Sequence, residues 1–283
     1  MLEFTKMTGI GNDYIYINCI DRELNTNPSK LAEKMSDRNF GVGSDGLVLI
    51  KRGQQADYYM EMYNSDGSQS PMCGNALRCI AKYLYDKNIT KDKTINIETA
   101  SGVYKAILFI ENNKVHEVEI DMGSPSFSPK NIPIIGFNSP VLNKDIEILN
   151  HKLQFSAVSI GNPHCVIFLS KNIDMKNYPV KEIGPLIEHH EYFPEKTNVE
   201  FVQLISSNEV IQRTWERGSG ETLACGSGAS AVLAVGVSLK MLEHKVLIHL
   251  RGGDLKLTWD NDLQHIIQRG TATFVFEGTW IDN

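Results

Sequence analysis

Apolar and polar positions alternate with a period of two over many short stretches of this chain, and switch to a helical period in a few. Residues 2–20 read as a strand, a glycine turn at Gly9 and Gly11, and a β-rich strand through Tyr14-Ile15-Tyr16-Ile17. Asn27 ahead of Pro28 predicts a capped helix running to Ser36. Gly41-Val42-Gly43-Ser44-Asp45-Gly46 matches G-x-G-x-x-G by letter, but a strand, Leu47 to Ile50, follows it. A dinucleotide loop leads into a helix, so this one reads as a turn. Asp57 to Tyr63 is a further strand, closed by the turn Asn64-Ser65-Asp66-Gly67. Leu77, Ile80, Ala81 and Leu84 then mark a helix from Ala76 to about Lys87. Residues 94–122 are expected to hold two more strands, with Val118 and Ile120 alternating against Glu117, Glu119 and Asp121.

Pro125, Pro129 and Pro133 interrupt the pattern and suggest a domain boundary. Beyond them, Ser156 to Leu169 reads as strand, turn, strand. A helix follows near Val180 to His189, then strands at Asn198 to Leu204 and Glu209 to Trp215. The helix Ala229 to Leu239 carries no charge and is expected to be buried all round. Leu255, Leu257 and Trp259 alternate with polar residues, and a last strand covers Thr271 to Phe276. The expected fold class is α+β, with two pseudo-symmetric domains, each a curled, mostly antiparallel sheet around a central helix. The expected domains are 1–124 together with 271–283, carrying Cys73, and 125–270, carrying Cys225.

The two halves repeat one plan. Pro71-Met72-Cys73-Gly74-Asn75-Ala76 and Leu223-Ala224-Cys225-Gly226-Ser227-Gly228 each place a cysteine and a glycine at a helix start. Asn64 lies nine residues before Cys73, and Glu216 nine before Cys225. Ile10-Gly11-Asn12 matches Ile160-Gly161-Asn162, and the two asparagines precede their cysteines by 61 and 63 residues. The chain is a diverged tandem repeat with one such cysteine in each half.

Bulk properties narrow the class. At 283 residues two domains are the natural expectation, and 42% hydrophobic with 22% charged residues is an ordinary globular balance. A net charge of -6, without a basic run, argues against nucleic acid and against an anionic membrane as partners. The first residues carry no signal-peptide pattern, and the longest uncharged apolar segment is too short to span a bilayer. Five widely spaced cysteines point to free thiols in a reducing compartment, hence to a cytoplasmic enzyme.

Two cysteines at two helix starts suit one chemistry. Free backbone N–H groups of Gly74, Asn75, Gly226 and Ser227 would bind an anion and favour a thiolate, lowering a pKa that is ordinarily about 8.5. A pseudo-two-fold would bring Cys73 and Cys225 to opposite sides of a bound carboxylate. A thiolate on one face of the α-carbon then removes the proton, and a thiol on the other returns one, inverting the stereocentre. Neither a metal nor pyridoxal phosphate is required, and no cofactor is expected.

Met72-Cys73-Gly74-Asn75, Gly161-Asn162-Pro163-His164, Thr197-Asn198-Val199-Glu200-Phe201 and the run Glu216 to Gly228 resemble the diaminopimelate epimerase family over nearly the whole chain. The resemblance implies a pyridoxal-phosphate-independent enzyme of that fold that interconverts LL- and meso-diaminopimelate in lysine and peptidoglycan precursor synthesis, as a homodimer. It makes Cys73 the base toward the LL isomer and Cys225 the acid. It makes Asn12, Asn64, Asn162, Asn198, Glu216 and Arg217 the substrate contacts, and His164 a group that tunes the thiols. Arg217 and Glu216 suit a second amino-acid head, one offering a cation and the other a carboxylate. Ala76 departs from the family, which usually has glycine there.

The other readings are plainer. Cys19, Cys79 and Cys165 are expected to be buried small hydrophobes. Each asparagine taken singly is an ordinary turn residue, and Glu188-His189-His190-Glu191 a solvated helix end. A racemase of another amino acid is the runner-up, and a dithiol redox or metal-binding protein the alternative of a different class.

Overall fold

The computed structural model describes residues 1–149 and 151–281. Its strands and helices run in the order β1 (Leu2–Gly9), β2 (Asn12–Asn18), α1 (Pro28–Ser36), β3 (Gly46–Arg52), β4 (Tyr58–Asn64), β5 (Gln69–Ser70), α2 (Gly74–Asp86), β6 (Thr94–Thr99), β7 (Gly102–Glu111) and β8 (Lys114–Asp121). The plan then repeats. It gives β9 (Lys144–Ile148), β10 (His151–Ser159), β11 (Pro163–Leu169), α3 (Val180–Glu188), β12 (Asn198–Ser206), β13 (Glu209–Glu216), β14 (Gly220–Thr222), α4 (Gly226–Ser238), β15 (Lys245–Leu250), β16 (Gly253–Asp260), β17 (His265–Thr271) and β18 (Thr273–Trp280). Two compact units result, Met1–Asp121 with Arg269–Asn283, and Met122–Gln268.

Strand pairing repeats as closely as the order does. In the first unit β1 and β2 pair antiparallel, β2 and β3 parallel, β3 and β4 antiparallel, β4 and β5 antiparallel, β4 and β6 parallel, and β6 and β7 antiparallel. In the second, β10 to β16 follow the same sequence of senses, step for step. The turn that opens each repeat also agrees. Gly11 and Gly161 adopt φ of 89° and 87°, a left-handed backbone that glycine enters without steric cost.

Helix α2 packs on β1 at one end of its sheet and on β7 and β8 at the other, so the sheet curls around it. Helix α4 is held likewise by β10, β11 and β12 on one side and β16 on the other. Its lack of charge has the expected consequence: Ala229 to Gly236 are buried without a break. The shorter helices lie on the outer faces. Leu31, Ala32 and Met35 of α1 pack with Ile15, Ile17, Leu47 and Leu49, while Ile183 and Ile187 of α3 pack with Phe155, Ile167 and Phe201. The parallel pairs β2–β3 and β11–β12 are therefore covered on both faces, which is why their sequences read as apolar runs.

Several boundaries differ from those the sequence suggests. Residues 94–122 form three strands, not two, because Asn112-Asn113, both at positive φ, turn the chain between β7 and β8. Strand β9 has two inward apolar residues, Ile146 and Ile148, too short an alternation to stand out. Strand β17 buries Gln268 beside Ile266, so polarity does not mark its outer face. The last strand is Thr273–Trp280 and not 271–276. Helices α2 and α4 begin at Gly74 and Gly226, directly after the cysteines and earlier than the starts at Ala76 and Ala229 that the apolar spacing indicates.

Candidate active site

In the first unit Cys73 is the N-cap residue of α2, extended at φ −145° and ψ 117° and partly exposed. Its Sγ donates to Asn12 Oδ1 at 3.4 Å, and Asn75 Nδ2 donates to the same oxygen at 3.2 Å. Asn12 Nδ2 in turn donates to Asp45 Oδ2 at 2.8 Å, which also accepts the Asp13 N–H at 3.0 Å. Arg38 bonds to Asp13 and Asp45, and Lys6 pairs with Asp13. Burial, with the Asp13 carboxylate beside it, pushes the Asp45 carboxyl above its usual range. The first two N–H groups of the helix, at Gly74 and Asn75, have no intrahelical acceptor and are what the turn can offer an anion.

The side chain of Asn75 is itself engaged. It is buried, and fully buried Arg78 donates to its Oδ1 and to the Thr271 carbonyl at 3.3 Å. Gly9 allows this packing: a Cβ there would lie 3.1 Å from Asn75 Cβ. Asn64 ends β4, donates to Ser68 Oγ at 3.0 Å, and stays partly exposed. Ala76, the departure from the family pattern, is fully buried within the first turn of α2.

In the second unit Cys225 caps α4 in the same way, at φ −123° and ψ 110°. Its Sγ accepts the Gly228 N–H at 3.4 Å and lies 3.5 Å from Ser227 Oγ. Asn162 Nδ2 donates to Ser227 Oγ at 3.4 Å, and its Oδ1 is 2.9 Å from His164 Nε2. His164 Nδ1 is 2.9 Å from Glu200 Oε1, and neither side chain is exposed. Gln268 Nε2 holds the Gly226 carbonyl at 2.8 Å.

The loop after β13 supplies the remaining polar groups. Asn198 donates to the Pro163 carbonyl and accepts the Arg217 N–H, each at 2.9 Å, so its amide fixes Arg217 in place. Arg217 Nη1 donates to the Glu195 carbonyl at 3.1 Å. Glu216 Oε1 accepts the Thr222 hydroxyl at 2.5 Å. Strand register makes the two halves comparable: Asn64 stands opposite Gly46, and Glu216 ends β13 one step beyond the Val199–Trp215 pair.

Cys225 departs from the simple helix-start expectation of a lowered thiol pKa. Its thiol is pushed well above its usual range, first by burial, then by the Glu216 and Glu200 carboxylates; Ser227 and the Gly228 N–H pull it back only in part. It is a thiol at rest, suited to giving a proton.

Networks thus join Asn12, Cys73 and Asn75 in one unit, and Asn162, His164, Cys225 and Ser227 in the other. Asp45, Arg78, Thr222 and Gln268 support them and carry no sequence signal on their own. For Asp45 the turn-like glycine loop hides an anchor for Asn12. For Glu200 one signal exists, a lone acid inside the apolar run Val199 to Val202 of a parallel strand.

Solved structures of varied description share this fold. A probable proline racemase from Agrobacterium radiobacter aligns with a TM-score of 0.69 at 12% identity, covering 100% of this chain and 94% of the other. A phenazine biosynthesis protein from Enterococcus faecalis aligns at 0.68 and 14% identity, covering 99% of each. Within that fold the chain belongs to the diaminopimelate epimerase family, whose model matches residues 4–128 and 156–275. A diaminopimelate epimerase from Methanococcus maripaludis is 48% identical over 277 residues, covering 98% of this chain and 99% of that one. One from Acetivibrio thermocellus is 45% identical over 277 residues, covering 98% of each. The protein is an isomerase, an epimerase by family.

Proposed function

We propose that the protein interconverts LL- and meso-diaminopimelate, with Cys73 as the base toward the LL isomer and Cys225 as the acid, their roles exchanging in reverse. The observation that carries this reading is that each cysteine caps the same helix of a duplicated unit and is linked to an equivalent asparagine, Cys73 directly to Asn12 and Cys225 through Ser227 to Asn162. The raised pKa of Cys225 supports its part as the protonated partner. Inversion requires the two thiols to reach one α-carbon from opposite faces, with the developing carboxylate-centred charge held by the N–H groups of Gly74, Asn75, Gly226 and Ser227. Asn12, Asn64, Asn162 and Asn198 contact the substrate; Arg217 and Glu216 bind its second amino-acid head, and Asn198 also holds the Arg217 backbone for that task. A substrate without that head would forgo the ion pairs that Arg217 and Glu216 are there to make and would be turned over poorly. Residues 1–124 with 271–283 and residues 125–270 then act as the two halves of one enzyme without a cofactor. We place it in the cytoplasm, as a homodimer serving lysine and peptidoglycan precursor synthesis.

Proton NMR in D2O with the reduced protein and LL-diaminopimelate tests this. The α-proton signal should fade while the meso isomer appears, and Cys73→Ala and Cys225→Ala should each abolish inversion. An untouched α-proton in the wild type would remove the assignment. Turnover of single-headed amino acids alone would favour the racemase reading.

A further inference from the structure

We propose that Glu200 is a positioning residue: with His164 it holds one proton between carboxyl and ring, which fixes His164 as an Nε2–H donor to Asn162 and so orients the start of α4. The inference rests on reading Asn162, Ser227 and Cys225 as active-site groups.

Geometry sets the proton count. His164 Nε2 faces an amide oxygen, which can only accept, so Nε2 carries hydrogen. Nδ1 lies 2.9 Å from Glu200 Oε1; with Nε2 already protonated, a neutral ring and an ionised carboxyl would oppose two lone pairs across that contact. A second proton must lie between them, and the pair carries no net charge. The alternative turns the Asn162 amide over and lets an ionised Glu200 accept from Nδ1–H. That leaves a full negative charge on a carboxyl with no exposure, whose Oε2 has no hydrogen-bond partner among the described residues. A proton placed on Oε2 instead would be a buried donor without an acceptor there.

The surroundings favour the neutral pair. Burial pushes the Glu200 carboxyl up, with His164 the group that opposes this. Other titratable groups that feel Glu200 include the thiols of Cys165 on β11 and Cys225 at the start of α4. Removing the charge from Glu200 therefore also removes one obstacle to a thiolate on Cys225 in the reverse reaction. The carboxyl sits directly against the first turn of α4: a Cβ on Gly228 would fall 2.6 Å from Glu200 Oε1, and the Gly228 N–H is the one that the Cys225 sulfur caps. Glu200 thus reaches the site twice, through His164 and Asn162 and through the backbone of Gly228.

The test combines a spectrum with kinetics. In protein labelled with 15N-histidine, long-range 1H–15N correlation near neutral pH should show His164 with its proton on Nε2, assigned by the signal lost in His164→Asn. A bare Nε2 with the proton on Nδ1 overturns the proposal whatever the kinetics. Glu200→Leu should lose that signature and lower kcat/KM for diaminopimelate about 10- to 100-fold, the scale of one buried group left unpaired. In Glu200→Gln the amide N–H replaces the shared proton, so signature and most of the rate should return. A leucine variant that keeps both, or a glutamine variant no better than leucine, overturns the proposal. Should wild type prove inactive on diaminopimelate, the functional reading fails while the histidine spectrum still judges the placement of the proton.

Discussion

Burial first, and then the Glu216 carboxylate, push the Cys225 thiol above its usual range. Because both disfavour the charged form, little thiolate is present at neutral pH, and alkylation of Cys225 by iodoacetamide should be slow and accelerate as pH rises. Glu216→Gln removes one repelling charge, lowers the thiol pKa and should speed labelling of Cys225 at neutral pH. Peptide mass spectrometry of timed quenches reads the rate, and an unchanged or slower rate would show that Glu216 does not act on the thiol. The cysteines are legible in the sequence because a motif repeated at such spacing is improbable by chance. Glu200 shows only as a lone acid in an apolar run, and Asp45 and Arg78 not at all, since Glu200 acts on His164, Asp45 on Asn12, and Arg78 on Asn75 and the Thr271 carbonyl, contacts made only once the chain has folded. Spacing along the chain shows residues that repeat, not residues that meet only after folding.

At the scale of elements, helix α3 is fitted to the loop that carries Glu216 and Arg217. A Cβ on Gly184 would lie 2.6 Å from Trp215 Cγ, so the indole rests on bare helix backbone. Trp215 Nε1 donates to Glu188 Oε2 at 2.7 Å, and Glu188 Oε1 accepts the Gly218 N–H at 2.9 Å. Gly184→Ala gains about 1 kcal/mol in helix propensity but costs about 1–3 kcal/mol in overpacking. The variant should therefore unfold at lower urea and, because the indole must shift, show a raised KM for diaminopimelate with a smaller change in kcat. A midpoint at or above wild type would mean that Trp215 yields freely. Helices α1 and α3 and most strands can be placed from their periodicity, since each buries one apolar face. Strands β9 and β17 cannot, because one is short and the other turns Gln268 inward to hold the Gly226 carbonyl.

Across the whole molecule the duplication is complete except at one edge of each sheet. Strand β1 pairs beyond the repeat with β18, from the far end of the chain, while β10, its counterpart, pairs with β9, the strand just before it. Each unit borrows the strand that closes its first edge, and only the second borrows it locally. The β18 edge is not incidental packing: Leu2 to Thr8 register against Trp280 to Thr273, Phe4 meets the Phe276 ring edge-on at 5.9 Å, and a Cβ on Gly278 would lie 2.8 Å from Phe4 Cζ. Removing residues 273–283 would strip β1 of that partner, expose Phe4 and leave an open edge prone to association. Among the described strand pairs of the second unit, none draws on that segment. Hydrogen exchange on the truncated protein should thus show protection lost in β1 and β2 while the amides of α4 stay protected. Loss of protection across both units together would mean that the two fold as a single cooperative block, and that the borrowed strand stabilises the second repeat as much as the first.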